Sequence, residues 1–255
     1  MANSMTGGLK LRNDISIKHS TYSPSHIVGH NTFPLFFAGV FFVLLSFDCG
    51  ISKAENQLEP AIKAFEKQDA QKPPPRNAVL FVGSSSIRWW RTDQLFSEFP
   101  VINRGFGGAE ISDLNYYLNR IVIPYKPKVV VFYCGGNDLH SGNKTPEQVF
   151  NDFNSFVAGV HGALPKTRII FMSLKPGPSS WNSRQLEYEV NDRVKAFCEK
   201  HENLFYVDVA TGMLNPKGVP DPNDYQKDGV HLTYRADIKW AQLLRPTLRK
   251  VYNLK

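Results

Sequence analysis

The sequence has little cysteine: three residues in 255, at positions 49, 134 and 198. No Cys/His pair has the spacing of a zinc site, so nothing points to a structural metal, and so few cysteines rule out a disulfide-rich scaffold. Clustered basic runs are also missing, although the formal net charge is +7 and the pI about 9.2. Lysines and arginines are interleaved with acids, the pattern of a solvated basic surface and not of a groove that tracks nucleic-acid phosphates. A mild attraction to anionic membranes or polymers stays open. There is no internal repeat or low-complexity tract, and no apolar run reaches the roughly 20 residues of a comfortable bilayer span. With 42% hydrophobic and 21% charged residues, wholesale disorder is excluded, and the length suits one domain or one domain with a short appendage.

What is present begins with a distinct amino terminus. Residues 1–30 are polar and irregular, and Phe33 to Phe47 is an uncharged apolar run of the length of a signal-peptide core, roughly 7 to 15 residues. Lys10, Arg12 and Lys18 give it a basic flank, and Ser52-Lys53-Ala54 offers small residues where a signal peptidase reads. Residues 1–54 are therefore expected to be a leader, cut after Ala54 or retained as an anchor through residues 33–47. The mature chain would then be secreted or periplasmic, or tethered, touching membrane only through this segment. Cys49 raises a lipoprotein anchor, but Phe47 and Asp48 before it do not suit that processing.

Residues 55–76 read as an amphipathic helix followed by a stiff proline-rich linker. Leu58, Ile62 and Phe65 fall at helical spacing, and Lys72-Pro73-Pro74-Pro75 cannot continue the helix. From residue 77 to 255 apolar runs and helical segments alternate. Ala78–Val82, Val101–Ile102, Val129–Tyr133, Arg168–Leu174 and Leu204–Val209 read as strands. Glu110–Ile121, Pro146–Leu164, Arg184–His201 and Tyr234–Tyr252 read as helices. Continuous apolar strands are buried on both faces, which requires a parallel sheet between helix layers. The fold class is thus α/β, a three-layer α/β/α sandwich with about five parallel strands. Cys134 lies in a strand-like run and Cys198 in a helix-like one. Both read as buried free thiols, though a bridge stays open.

In such sheets ligands bind outside the carboxyl ends of the strands, so reactive residues should follow the apolar runs directly. Four segments do. Gly83-Ser84-Ser85-Ser86-Ile87 follows strand one; its glycine allows a sharp turn that can display a serine at a helix amino terminus, and no Gly-Lys-Ser/Thr makes it a phosphate loop. Asn103 to Glu110 follows strand two and carries Gly105, Gly107 and Gly108; Glu110 stands where a dinucleotide fingerprint needs glycine, which leaves close backbone approach to a ligand near Gly108, or plain turn chemistry. Gly135-Gly136-Asn137-Asp138 follows strand three, where Asn137 can donate to an oxyanion or simply form an Asx turn.

The fourth segment is Asp228-Gly229-Val230-His231-Leu232, before the last helix. Beyond the leader only four histidines occur: His140, His161, His201 and His231. His161 and His201 fall on or at the ends of helices, and His140 trails the third segment and can border a site there. His231 alone has a carboxylate three residues earlier, so one tight turn can place Asp228 where it fixes the imidazole tautomer.

These four segments, in this order and at these strand ends, resemble the conserved blocks of the SGNH hydrolases, also called GDSL-like lipases and acylhydrolases. The resemblance covers Asn77 to Val251. It implies a flavodoxin-like fold, Ser85 as nucleophile, and Asp228 and His231 as its partners. It also implies an oxyanion hole from the Ser85 and Gly108 N–H groups and the Asn137 amide. The family's usual acid before the nucleophile is Ser84 here, which leaves the chemistry intact. It suggests a Gly-Ser-Ser-Ser-Ile subgroup similar to the platelet-activating-factor acetylhydrolase-like branch.

The implied activity is a serine esterase working through an acyl-enzyme, with no cofactor or metal and a small-molecule ester as substrate. Short-chain, acetyl esters of carbohydrates are the expected substrates, because no long apolar insertion is available for a lid or acyl tunnel. A lysophospholipid-directed acylhydrolase is the main alternative, and a silent carbohydrate-binding domain a lesser one. Trp181, in the loop after strand four, can stack on a sugar ring or simply cap the core edge.

Overall fold

The structure, a computed structural model, describes residues 53–254. The expectations for the leader, its apolar run at 33–47 and Cys49 lie outside the described residues, and the expected cut after Ala54 falls at the start of the first described helix.

Five strands, β1 (Val79–Gly83), β2 (Val101–Gly105), β3 (Val129–Tyr133), β4 (Arg168–Met172) and β5 (Leu204–Val207), form one sheet in the order β2-β1-β3-β4-β5. Every pairing is parallel. All five residues of β1 and of β3 are buried, as expected for strands covered on both faces. The register sets Gly83 beside Gly105 on one flank and Tyr133 on the other. Three strand ends, each followed by one of the polar segments, therefore finish level.

Successive strand residues point to opposite faces, and β3 shows what covers each. Phe132 packs on Phe153 and Phe156 of α7 (Pro146–Ala163), with ring centroids 5.1 and 4.7 Å away. Its neighbour Tyr133 packs on Trp240 of α9 (Tyr234–Asn253) at 4.7 Å. Helices α7 and α9 thus lie on opposite faces, and the expected three-layer sandwich is observed. Phe197 of α8 (Arg184–Cys198) meets Phe150 of α7 edge-on, which places α8 in the α7 layer. The edge strand β2 is covered by α1 (Lys53–Gln71): Asp69 pairs with the buried Arg104 of β2, and Ile62 is fully buried. Among the described residues no helix is long and apolar enough to cross a membrane.

Several boundaries differ from the sequence reading. The expected helix over 110–121 is two, α4 (Ile111–Tyr116) and α5 (Leu118–Ile121), because Tyr117 turns inward against Phe106 and takes a non-helical ψ of 6°. β4 and β5 stop short because the Ser173 hydroxyl accepts from the Val209 and Ala210 N–H groups, drawing the chain out of the ladder. Of three short helices, α2 (Ser85–Trp89), α3 (Thr92–Leu95) and α6 (Gly136–His140), the sequence reading anticipated only the amino terminus of α2. They are too brief to show a period.

Candidate active site

The end of β1 is shaped by contact. Gly83 has φ +156°, and a Cβ there would lie 2.0 Å from the Tyr133 carbonyl oxygen, so β1 and β3 can finish side by side only with glycine at this position. The chain then turns at Ser84, whose carbonyl accepts from the Ile87 and Arg88 N–H groups, and Ser85 becomes the first residue of α2. Two features seat this helix over β2. Gly105 leaves room for it, since a Cβ there would come 2.3 Å from the Arg88 nitrogen. The Asn103 amide donates to the Ile87 carbonyl at 2.8 Å and to the Thr92 hydroxyl at 3.2 Å.

Asp228 and His231 arrive from the other end of the chain on a turn with Gly229 at φ +68°. One carboxylate oxygen of Asp228 accepts from the Val230 and His231 backbone N–H groups, both at 2.9 Å. The other meets His231 Nδ1 at 2.6 Å, and His231 Nε2 meets the Ser85 hydroxyl oxygen at 2.8 Å. Partial burial pushes the Asp228 carboxyl up, but the hydrogen bonds from the His231 ring and the two backbone N–H groups outweigh it and hold it down at about 2. The carboxylate is therefore charged at any working pH. It fixes the ring with Nδ1 protonated and Nε2 free to take the serine proton.

The two remaining segments are joined to each other. Asn137, in the first turn of α6, donates through Nδ2 to the Ala109 carbonyl at 2.9 Å, which fixes the amide beside the Gly108 loop. Next to it, the fully buried Asp138 accepts from the Ile111 N–H at 3.1 Å. Lys144 ties the assembly together by pairing with Glu110, Asp138 and Asp152 at 3.0, 3.0 and 2.8 Å. Burial raises the Asp138 carboxyl and Lys144 draws it back down. Gly108 has φ +77° with open space where a Cβ would point, as suits a backbone N–H meant to meet a ligand.

Two further residues singled out in the sequence have partners of their own. His140 pairs through Nε2 with the buried Glu187 at 2.8 Å and makes no contact with Ser85 or His231. The Trp181 ring lies under the Arg184 guanidinium at 4.6 Å. An aromatic that meets His231 directly is Trp89, four residues after Ser85: its ring is 4.1 Å from the His231 ring and 51% exposed. The sequence places Trp89 one helical turn from the serine, which was the available signal. Lys175 was also missed. It is buried, and its ammonium donates to the Val230 carbonyl at 2.8 Å, inside the Asp228–His231 turn.

A cavity of about 360 Å³ opens beside His231, walled in part by Trp89, Arg91, Gln226, Tyr234 and Asp237. A larger one, about 830 Å³, lies between α1 and β2, and none of Ser85, Asp228 or His231 lines it. Of the two, only the smaller is lined by a member of that trio, His231. Among the described residues, no group of His, Cys, Asp and Glu is placed to hold a metal ion.

The GDSL-like lipase/acylhydrolase family model matches residues 81–236, a stretch that holds every residue of the Ser85–His231–Asp228 chain. None of the curated proteins matches in sequence. Among solved structures, a GDSL-like lipase from Bacteroides thetaiotaomicron is 24% identical with a TM-score of 0.64, over 74% of this chain and 97% of that one. A Streptococcus pneumonia protein provisionally described as a platelet activating factor is 19% identical, TM-score 0.65, over 76% and 93%. An acetyl-xylooligosaccharide esterase from Geobacillus is 18% identical, TM-score 0.55, over 71% and 96%. The fold is shared with all three, and the family match covers most of the chain: it belongs to the GDSL-like lipase/acylhydrolase family and is a carboxylic ester hydrolase.

Proposed function

We propose that the chain cleaves short-chain, chiefly acetyl, esters of polar alcohols such as carbohydrates by two-step acyl transfer at Ser85. The observation that carries the mechanism is the unbroken line from Asp228 through His231 to the Ser85 hydroxyl, at 2.6 and 2.8 Å. Ser85 attacks the ester carbonyl as His231 Nε2 takes its proton, and Asp228 stabilises the resulting imidazolium. The developing oxyanion is received by the Ser85 and Gly108 N–H groups and the free hydrogen of Asn137. His231 then protonates the leaving alcohol, and water repeats the sequence against the acyl-enzyme.

The short acyl preference follows from the connections after the strands, which carry no long apolar insertion to form a lid or an acyl tunnel. A long chain would leave methylenes in water, and each forgoes about 0.8 kcal/mol of burial. The Geobacillus neighbour, by its description an acetyl-xylooligosaccharide esterase, is in keeping with this reading. The test is kcat/KM on p-nitrophenyl esters from C2 to C16, expected to peak at C2 to C4. A steady climb to C10 or beyond, together with turnover of lysophospholipid, would replace the reading with a lipid-directed acylhydrolase.

A further inference from the structure

The cavity beside His231 has a composition that the acyl-transfer machinery does not use. Two exposed aromatic rings flank it, Trp89 at 51% and Tyr234 at 47% exposure. Arg91 lies over the Tyr234 ring at 4.8 Å and lines the same cavity. On α9, Asp237 also lines the cavity, and its carboxyl accepts no hydrogen bond from another described residue, although its backbone carbonyl is held by the Trp90 indole at 3.1 Å. Gln226 adds an amide that both donates and accepts.

We infer that this cavity is the subsite for the alcohol portion of the ester, and that it is built for a sugar ring. The inference rests on the esterase reading above, since it is His231 that must protonate the leaving oxygen, and that oxygen's substituent must then extend on the His231 side. The oxyanion donors lie at the ends of β2 and β3. The cavity lies on the flank of α2 that faces α9, so the two halves of a bound ester have separate places. Trp89 offers a ring face already fixed against His231. Stacking on that face suits the apolar side of a pyranose.

Hydroxyl groups both donate and accept, and the walls supply both: donors on Arg91 and Gln226, acceptors on Gln226 and Asp237. Burial raises the Asp237 carboxyl to about 7 against the pull of Arg91. Near neutral pH the cavity therefore carries little net negative charge. With the Arg91 guanidinium in its wall repelling a second cation, the cavity favours a neutral polyol over the quaternary ammonium of a choline headgroup.

The test compares kcat/KM on a monoacetylated methyl glycoside with that on ethyl acetate, which shares the acyl group but lacks a ring. The wild-type protein is expected to prefer the glycoside ester by tenfold or more. Trp89→Ala should cut this preference several-fold, chiefly through KM on the glycoside ester. Because Trp89 touches His231, Asp237→Asn and Arg91→Gln, which reach neither Ser85 nor His231, are measured beside it and should shift the preference the same way. Trp181→Ala should keep the wild-type preference. An undiminished preference in all three cavity variants overturns the subsite, as does tighter binding of glycerophosphocholine than of methyl glycoside. If neither ester is turned over, the acyl-transfer reading falls. Quenching of tryptophan emission as methyl glycoside is added to Ser85→Ala then decides the subsite alone: saturable quenching that Asp237→Asn weakens supports it, and none overturns it.

Discussion

Asn137 donates one of its two amide hydrogens to the Ala109 carbonyl at 2.9 Å, which fixes the plane of the amide and leaves the other hydrogen without a partner among the described residues. That second hydrogen is positioned before any substrate arrives, and its worth is realised only as negative charge develops on the carbonyl oxygen. Asn137→Ala should lower kcat by roughly 10² to 10³ with a modest change in KM. Steady-state kinetics on an acetyl ester checks this; a variant altered in KM alone would assign Asn137 to ground-state binding.

Removal of the proposed nucleophile should be far more costly. Ser85 is only partly buried, and among the described residues its side chain bonds to His231 alone, so Ser85→Ala should fold normally while losing roughly 10⁴-fold or more in turnover. Circular dichroism and kinetics on Ser84→Ala, Ser85→Ala and Ser86→Ala separate the three serines. Activity surviving in Ser85→Ala but not in a neighbour would move the nucleophile.

Asp228→Asn should be nearly as inactive for a reason set by the turn. The Val230 and His231 N–H groups hold one oxygen of residue 228, so the amide oxygen of asparagine stays there and its NH₂ faces His231 Nδ1. The ring must then carry its proton on Nε2, pointing at Ser85, and can no longer accept from it. A loss of roughly 10⁴-fold in kcat with unchanged thermal stability is the expected result.

Lys175 links the turn to the interior. Burial pushes its ammonium down to about 8, with Glu187 and Asp228 pulling it back toward its ordinary value. Between pH 8 and 10.5 the unfolded chain holds a proton here that the folded one has released, so stability gains with rising pH across that window. Unfolding in urea at pH 8 and pH 10 should show this gain in the wild type and not in Lys175→Met. The same variant loses the bond to the Val230 carbonyl, and a looser Asp228–His231 turn should lower kcat by up to roughly 10²-fold. Equal pH slopes in the two proteins would show that Lys175 titrates as an exposed lysine does.

The strand ends and the four polar segments were legible because each depends on a local rule: a buried parallel strand is apolar throughout, and the chain must turn polar where it ends. Asp228 and His231 could be paired because one turn joins them. Trp89, Arg91 and Asp237 could not be grouped, because the cavity forms only when α2 and α9, nearly 150 residues apart in sequence, meet. Lys175 looked like any surface lysine, since burial of a cation is decided by what packs over it. Helix α6 was hidden for another reason: it spans 136–140, too short to reveal 3.6-residue periodicity. Trp181 was singled out by its neighbourhood in sequence, which could not show that Arg184, three residues on, lies over one face of its ring.

The two described cysteines turn the protein into a recorder of its own opening reactions. Cys134 and Cys198 are free and buried, and burial pushes both thiols up, Cys198 to about 12. A thiol reagent needs both access and thiolate, so it modifies neither until the chain breathes. Cys134 donates to the same Ala109 carbonyl that Asn137 holds, whereas Cys198 closes α8. The labelling rate at Cys134 therefore times excursions of the loop that shapes the oxyanion hole, and the rate at Cys198 times fraying of the outer layer. One chain thus carries two clocks, and their ratio measures how far motion at the catalytic end is independent of global unfolding.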